Sequence, residues 1–355
     1  MSLVGNLEII DLRSDTVTLP TQEMLESIMN AKLGDDQYGE DETVNKLQEI
    51  ASRKMGKEEA LLVPSGTQAN LVSLMSHTQR GNAAILEEES HMIYYEASGL
   101  SAIAGVMPIA MKGHLGALDA KKVNDRLKVQ HRIHQPEIKI ICLENTHNRA
   151  GGTCLRPEQI HEIGEVAQSN SIKLHMDGAR IFNAAVALNI DVKKLTKETD
   201  SVTSCLSKSL SAPVGSMILG EKEFIEKTRI NRQRVGGAMR HAGIIAAPGI
   251  VALEKMIDRL EEDHRNARRL AEGIAKIDGI QIDLSCVQTN IVCFEISGLG
   301  IAADLFISKL KEKDILALTL AENKVRMVTH KGIEKEHVEK SIAAIQSISN
   351  EQHLD

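Results

Sequence analysis

SCLSKSLSAPVGS, residues 204–216, sets Lys208 just past an apolar run and among serine, alanine, proline and glycine. Small neighbours leave room for a planar ligand, and desolvation favours the uncharged amine that attacks a carbonyl carbon. A solvated loop lysine is the plain alternative. Upstream, LHMDGAR (174–180) ends a second apolar run on Asp177. A carboxylate at the end of a buried strand needs a cation or proton donor beside it. A protonated ring nitrogen is one such partner, and Arg180 as a purely structural pair is the other. Earlier still, VPSGTQANLVSLM (63–75) turns at Pro64, and Ser65, Gly66 and Thr67 open a helix. Free backbone N–H groups there suit a phosphate or carboxylate, although a helix cap and nothing more explains the same residues.

Around these motifs the chain alternates short β-rich runs with helical patterns. AAILEE (83–88), IKIICLE (138–144), IKLHMD (172–177), SVTSCL (201–206) and SMILG (216–220) read as strands. RPEQIHEIGEVAQSN (156–170) reads as a helix with Pro157 in its first turn. The alternation predicts βαβ units and a largely parallel sheet. In the long apolar-periodic stretch 243–277, Pro248 predicts a break or kink. Beyond it IQIDLS (280–285), NIVCFEIS (290–297) and KVRMVTH (324–330) read as strands, interleaved with helices at 301–313 and 333–348.

At 355 residues the chain exceeds the size of one core. The reading is an N-terminal segment, 1–20, reaching the active site, a large domain, 21–255, and a small α+β domain, 256–355. A net charge of -7 argues against a nucleic-acid backbone as partner, and the locally basic RINRQRVGGAMR (229–240) reads as a solvated helix face or an anion contact. No secretory leader or membrane-spanning run is recognisable, so a cytoplasmic protein is expected. The five cysteines (Cys142, Cys154, Cys205, Cys286, Cys293) are scattered without a CxxC pair, which indicates neither a disulfide framework nor a zinc site. Aromatic residues are only 2%, so the core must be built from aliphatic side chains and a cofactor ring has few aromatic partners to stack on.

A phosphate cradle, an acidic ring partner and an amine, in that chain order, point to pyridoxal 5'-phosphate held by Lys208 as an imine, with Asp177 keeping the ring an electron sink. The order is similar to that of the aspartate aminotransferase-like fold. This implies an α/β large domain with a mostly parallel seven-stranded sheet and a small α+β C-terminal domain.

DLRSDTVTLPT (11–21), GDDQYGED (34–41), VPSGTQAN (63–70), ENTHN (144–148), HMDGARIFNA (175–184), LSKSLSAPVGS (206–216) and VRMVTHK (325–331) together resemble the low-specificity L-threonine aldolase family, in its order and from about residue 9 to 348. The resemblance implies retro-aldol cleavage of L-threonine or L-allo-threonine to glycine and acetaldehyde. It implies that Ser14, Arg180 and Arg326 hold the substrate carboxylate, that Gly66 and Thr67, with Ser65 adjacent, bind the phosphate, and that His91 stacks on the ring. His134 matches a second histidine near the substrate hydroxyl, and His91, His134 or a water are the candidate bases. Tyr38 and Arg240 resemble residues that reach a neighbouring subunit's site, in a tetramer built from two dimers, and a structural cation near Thr16 and Thr18 is part of the same pattern. The family usually has glycine after the lysine, where this chain has Ser209. A β-eliminating lyase or an amino-acid racemase on the same fold is the rival reading, and a sensor or scaffold without turnover is the non-enzymatic one.

Overall fold

The computed structural model describes residues 9–129 and 133–352. Its strands in chain order are β1 (Ile10–Asp11), β2 (Glu59–Val63), β3 (Ala83–Glu87), β4 (Met107–Met111), β5 (Ile138–Glu144), β6 (Lys173–Asp177), β7 (Ser201–Cys205) and β8 (Ser216–Gly220). They are followed by β9 (Ile291–Glu295), β10 (Ile315–Leu316), β11 (Leu318–Ala321) and β12 (Lys324–Val328). Strands β2 to β8 form a seven-stranded sheet in the order β2-β8-β7-β6-β5-β3-β4, parallel except for β8, which runs against both of its neighbours. Strands β3, β7 and β8 are buried along their whole length, as expected of strands covered on both faces by helices.

From β3 the chain steps outward to β4 on one side, and from β5 it steps through β6, β7 and β8 to the other. The reversal opens a crevice beyond the carboxyl ends of β3 and β5, where sheets of this kind place their ligands. Glu144 ends β5 in register with Asp177 at the end of β6, and Lys208 follows the end of β7.

A second core lies towards the C-terminus. Strands β9, β11 and β12 make an antiparallel sheet in the order β11-β12-β9. Phe294 and Phe306 meet edge to face there, packed with Leu270, Ile274 and Val338. Strand β1 joins this core, pairing in parallel with β10 and burying Ile10 and Leu12. The N-terminal segment is thereby tied to the C-terminal core, and its next residues run back toward the lysine loop, where the Thr18 hydroxyl donates to the Lys208 carbonyl at 2.9 Å.

Three expectations are corrected. Pro248 does not break its helix: Gly243–Lys255 runs through it, and the interruption falls at 256–259, before Leu260–Ile274. The helix is apolar and packs between Gln22–Met29 and Glu42–Met55, so tertiary burial overrides the lost backbone bond. IQIDLS makes only one bridge, Gln281 with Glu295, because the Asp283 carboxylate accepts from the Ser285 N–H at 2.9 Å and turns the chain away from the sheet. Arg232, within the basic stretch, is neither solvated nor free for an anion: it is buried, donating to Asp36 Oδ2 at 2.7 Å and to the Leu62 carbonyl at 2.8 Å.

Candidate active site

The helix Gly66–His77 starts where β2 ends, and Ser65 caps it by accepting from the Gln68 N–H at 3.2 Å. Its cap role occupies the Ser65 oxygen, while the Gly66 and Thr67 N–H groups at the positive end of the helix remain for an anion. A Cβ on Gly66 would stand 2.7 Å from the Cys205 sulfur, so the helix start fits against β7 only with glycine there.

One turn into that helix, Asn70 divides its amide between two carboxylates, donating to Asp177 Oδ2 and to Glu96 Oε1, each at 2.8 Å. The Asn70 carbonyl accepts from Thr203 Oγ1 at 3.2 Å and lies 3.5 Å from His175 Nε2. His175 in turn bonds through Nδ1 to Ser201 Oγ at 2.7 Å, and burial holds its pKa down to about 4, so it is a neutral fixed strut. Asp177 Oδ1 accepts from the Ala179 N–H at 3.0 Å. Burial alone would raise the Asp177 pKa, but the charges of His91 and Lys208 and the Asn70 and Ala179 bonds together bring it below the ordinary range. An ionised, buried carboxylate at a strand end suits a protonated pyridine nitrogen.

His91 opens the short helix after β3. Its backbone N–H donates to Glu144 Oε2 at 2.6 Å, and its Nδ1 lies 2.9 Å from Glu96 Oε1. Burial disfavours the imidazolium, yet the Glu96 bond and the charges of Asp177 and Glu144 outweigh it and raise the His91 pKa. Burial and the charge of Asp177 raise the pKa of Glu96 as well. His91, Glu96 and Asp177 bring their polar atoms within 4.8 Å of one another.

The second half of the site is cationic. Arg180 is buried and holds Asp15 in a two-pronged pair, Nε to Oδ2 and Nη2 to Oδ1, each at 2.7 Å. Its Nη1 lies 3.4 Å from Asn148 Oδ1, the oxygen to which Arg326 Nη1 also donates at 2.9 Å. Burial and the nearby charge of Arg180 lower the pKa of Arg326. Arg326 has no carboxylate partner among the described residues, and its Nε is buried without a hydrogen bond. Two guanidiniums converging on one amide oxygen, with a donor left over, form an anion-receiving pair.

Ser14 caps the turn Asp15–Val17 through Thr16 N at 3.2 Å and stands beside Asp15. The Thr18 hydroxyl is engaged by the Asp15 and Lys208 carbonyls. His134 is not brought to the site in one chain. It lies exposed before β5, whereas the site lies beyond the other end of that strand, about 20 Å away at ~3.3 Å per residue. Tyr38 is 75% exposed, and Arg240 is exposed with its Nη1 3.0 Å from Asp35 Oδ2. Asp15, Asn70, Glu96, Asn148 and Asn290 were not singled out in the sequence. All but Glu96 and Asn290 stand inside the quoted motifs.

A lysine beside an ionised aspartate and a helix start, at the switch point of a mostly parallel sheet, is the arrangement of the pyridoxal phosphate enzymes of the aspartate aminotransferase-like fold. The model of the β-eliminating lyase family matches residues 11–297. Low-specificity L-threonine aldolase 1 of Arabidopsis thaliana is 41% identical over 341 residues, 95% of each chain. The low specificity L-threonine aldolase of Escherichia coli K12 is 40% identical over 330 residues, 93% of this chain and 96% of its own. A solved structure of Leishmania major threonine aldolase superposes with a TM-score of 0.82 at 16% identity, covering 96% of this chain and 99% of that one. The chain belongs to the β-eliminating lyase family, within its low-specificity L-threonine aldolase group.

Proposed function

We propose that this chain is a pyridoxal phosphate-dependent carbon–carbon lyase that cleaves L-threonine and L-allo-threonine to glycine and acetaldehyde. The observation that carries the reading is the convergence of Arg180 and Arg326 on Asn148, with Arg326 Nε left without a partner. Arg180 already holds Asp15, so an α-amino acid brings the carboxylate that Arg326 lacks.

In this reading Lys208 would carry the cofactor, Gly66 and Thr67 with Ser65 would hold its phosphate, and Asp177 would pair with its ring nitrogen. The bound cofactor supplies the electron sink for cleavage of the Cα–Cβ bond. Arg180 and Arg326, with Ser14 at their edge, would fix the substrate carboxylate and thereby orient that bond for cleavage, so that positioning is part of the chemistry. His91, its Nδ1 tethered to Glu96, would stack on the cofactor ring, and its Nε2 would take the proton of the β-hydroxyl. His134 serves only if another subunit presents it.

The subunit arrangement proposed is a homotetramer with sites at the interface. Leu19, Leu25, Met29, Leu33, Tyr38 and Ile244 are exposed apolar or aromatic side chains near the segment that carries Tyr38, and they suit a subunit contact. A cytoplasmic location fits five unpaired cysteines; no helix among the described residues is long and apolar enough to cross a membrane.

The test is coupled detection of acetaldehyde with L-threonine, L-allo-threonine and their D isomers. Acetaldehyde and glycine in equal amounts from the L isomers is the expected result. Ammonia and a keto acid from serine or cysteine, without acetaldehyde, would replace this reading with β-elimination.

A further inference from the structure

We propose that Ser209 is a positioning residue for the substrate carboxylate: its hydroxyl fastens Asp15, and Asp15 sets which edge of Arg180 the substrate meets. The inference rests on the amino-acid lyase reading above and deepens it.

Ser209 directly follows Lys208. It is 2% exposed, and its backbone lies outside the left-handed region, which Ser211 occupies at φ 64°. No strain therefore opposes a side chain at 209, and the hydroxyl is available for a purpose. Its three side-chain neighbours are Asp15 Oδ2 at 2.6 Å, Asn290 Nδ2 at 3.2 Å and Asn183 Nδ2 at 3.5 Å. Asn290 Nδ2 also donates to the Thr329 carbonyl at 3.0 Å, which fixes that amide as a donor. Asp15 is thus the acceptor for the hydroxyl proton, and the short distance is that of an O–H donating to a carboxylate.

The consequence passes to Arg180. With Asp15 held by Ser209 and by Asn290 Nδ2 at 3.2 Å, its two oxygens consume the Nε and Nη2 donors of Arg180. Nη1 is then the donor left facing Arg326 across Asn148. With alanine at 209, Asp15 Oδ2 loses its shortest neutral donor and keeps only Asn290 Nδ2 beside Arg180, so the carboxylate and the guanidinium paired with it are held less firmly in place.

Glycine and methylamine separate this role from others, because both present an amine and only glycine presents a carboxylate. Each is titrated into the holoenzyme and read by the change in its visible absorbance. For wild type against Ser209→Ala, glycine affinity is expected to fall about tenfold, the scale of one charge-assisted hydrogen bond, while methylamine affinity stays within about twofold. Ser209→Thr, which keeps the hydroxyl, should restore most of the glycine affinity. Unchanged glycine affinity in Ser209→Ala, or an equal loss for both ligands, overturns the proposal. If Ser209→Ala does not retain cofactor, Ser209→Gly runs the same comparison. Failure of wild type to respond to glycine would instead overturn the lyase reading.

Discussion

The floor of the site and its carboxylate pair are both buried and polar, yet they are assembled in different ways. Asn70, His91, Glu96 and Asp177 all follow or end strands of one sheet, β2, β3 and β6, and a single amide, that of Asn70, joins both carboxylates. Arg180 and Ser209 follow β6 and β7 of that sheet, but Asp15 comes from the N-terminal segment and Asn290 and Arg326 from the C-terminal core, so the group is complete only when β1 has paired with β10 and the two cores have closed on each other. The charges differ in the same sense. The floor places two carboxylates against one histidine and suits a cationic ring nitrogen, whereas the pair places two guanidiniums against one carboxylate and suits an anion. Chemistry anchored on the rigid sheet and recognition spread over distant segments can therefore be broken separately.

Lys208→Ala should give the largest effect. Removing the amine deletes covalent attachment of the cofactor, and turnover should fall by roughly 10^4-fold. The visible absorbance that borohydride would trap on the wild-type lysine should also be lost. Retained chromophore and activity would show that the anchor is elsewhere. Arg326→Gln should be smaller and of another kind. The anion loses one charged partner, worth about 1.5–3 kcal/mol, so kcat/KM should fall by roughly 10- to 100-fold while the visible band of the unliganded holoenzyme stays as in wild type. Equal kinetics would remove Arg326 from substrate binding, and a displaced band would mean that the two halves of the site are not independent.

The same division governs what was legible in the sequence. Lys208, Asp177 and the turn at Ser65–Thr67 each sit where an apolar strand ends, so local pattern marks them and their order gives the fold. The central strands fall within a residue or so of their sequence limits because each is a short β-rich run bounded by polar or glycine turns. Arg180 is legible locally only as a partner for Asp177, whereas it pairs with Asp15; Arg326 and the substrate role of both arginines come only through family wording, which points to Ser14 and not to its neighbour Asp15. A residue whose partners lie far away in the chain carries no local signature. Asn290, in an unremarkable Thr-Asn pair before β9, is the extreme case, since its three acceptors are Asp15, Ser209 and Thr329. Pro248 shows the converse, a strong local signal overruled by packing.

The smallest expected effect probes the floor alone. Glu96 bonds to His91 Nδ1 at 2.9 Å and is among the groups that raise its pKa against the cost of burial. Replacing Glu96 by Gln preserves shape and a possible acceptor but removes the charge, so the His91 pKa must fall. A base acts when unprotonated, so turnover is lost as pH drops through the His91 pKa, and the acid limb of the kcat profile should move to lower pH in Glu96→Gln. At alkaline pH, where His91 is already neutral in both proteins, kcat should change by no more than about threefold, well below the range of losing a general base outright. Stability carries the opposite sign. A raised histidine pKa stabilises the fold below the ordinary imidazole value, and that contribution disappears as pH rises through the folded pKa, so Glu96→Gln should lower Tm more at pH 5.5 than at pH 8.5. A Tm change of that sign with an unmoved acid limb would leave His91 as a ring-stacking group only and assign the hydroxyl proton to another acceptor. Movement of both together would place the base on the floor, at the carboxyl ends of strands of the same sheet as Asp177 and not on the arginines proposed to hold the substrate.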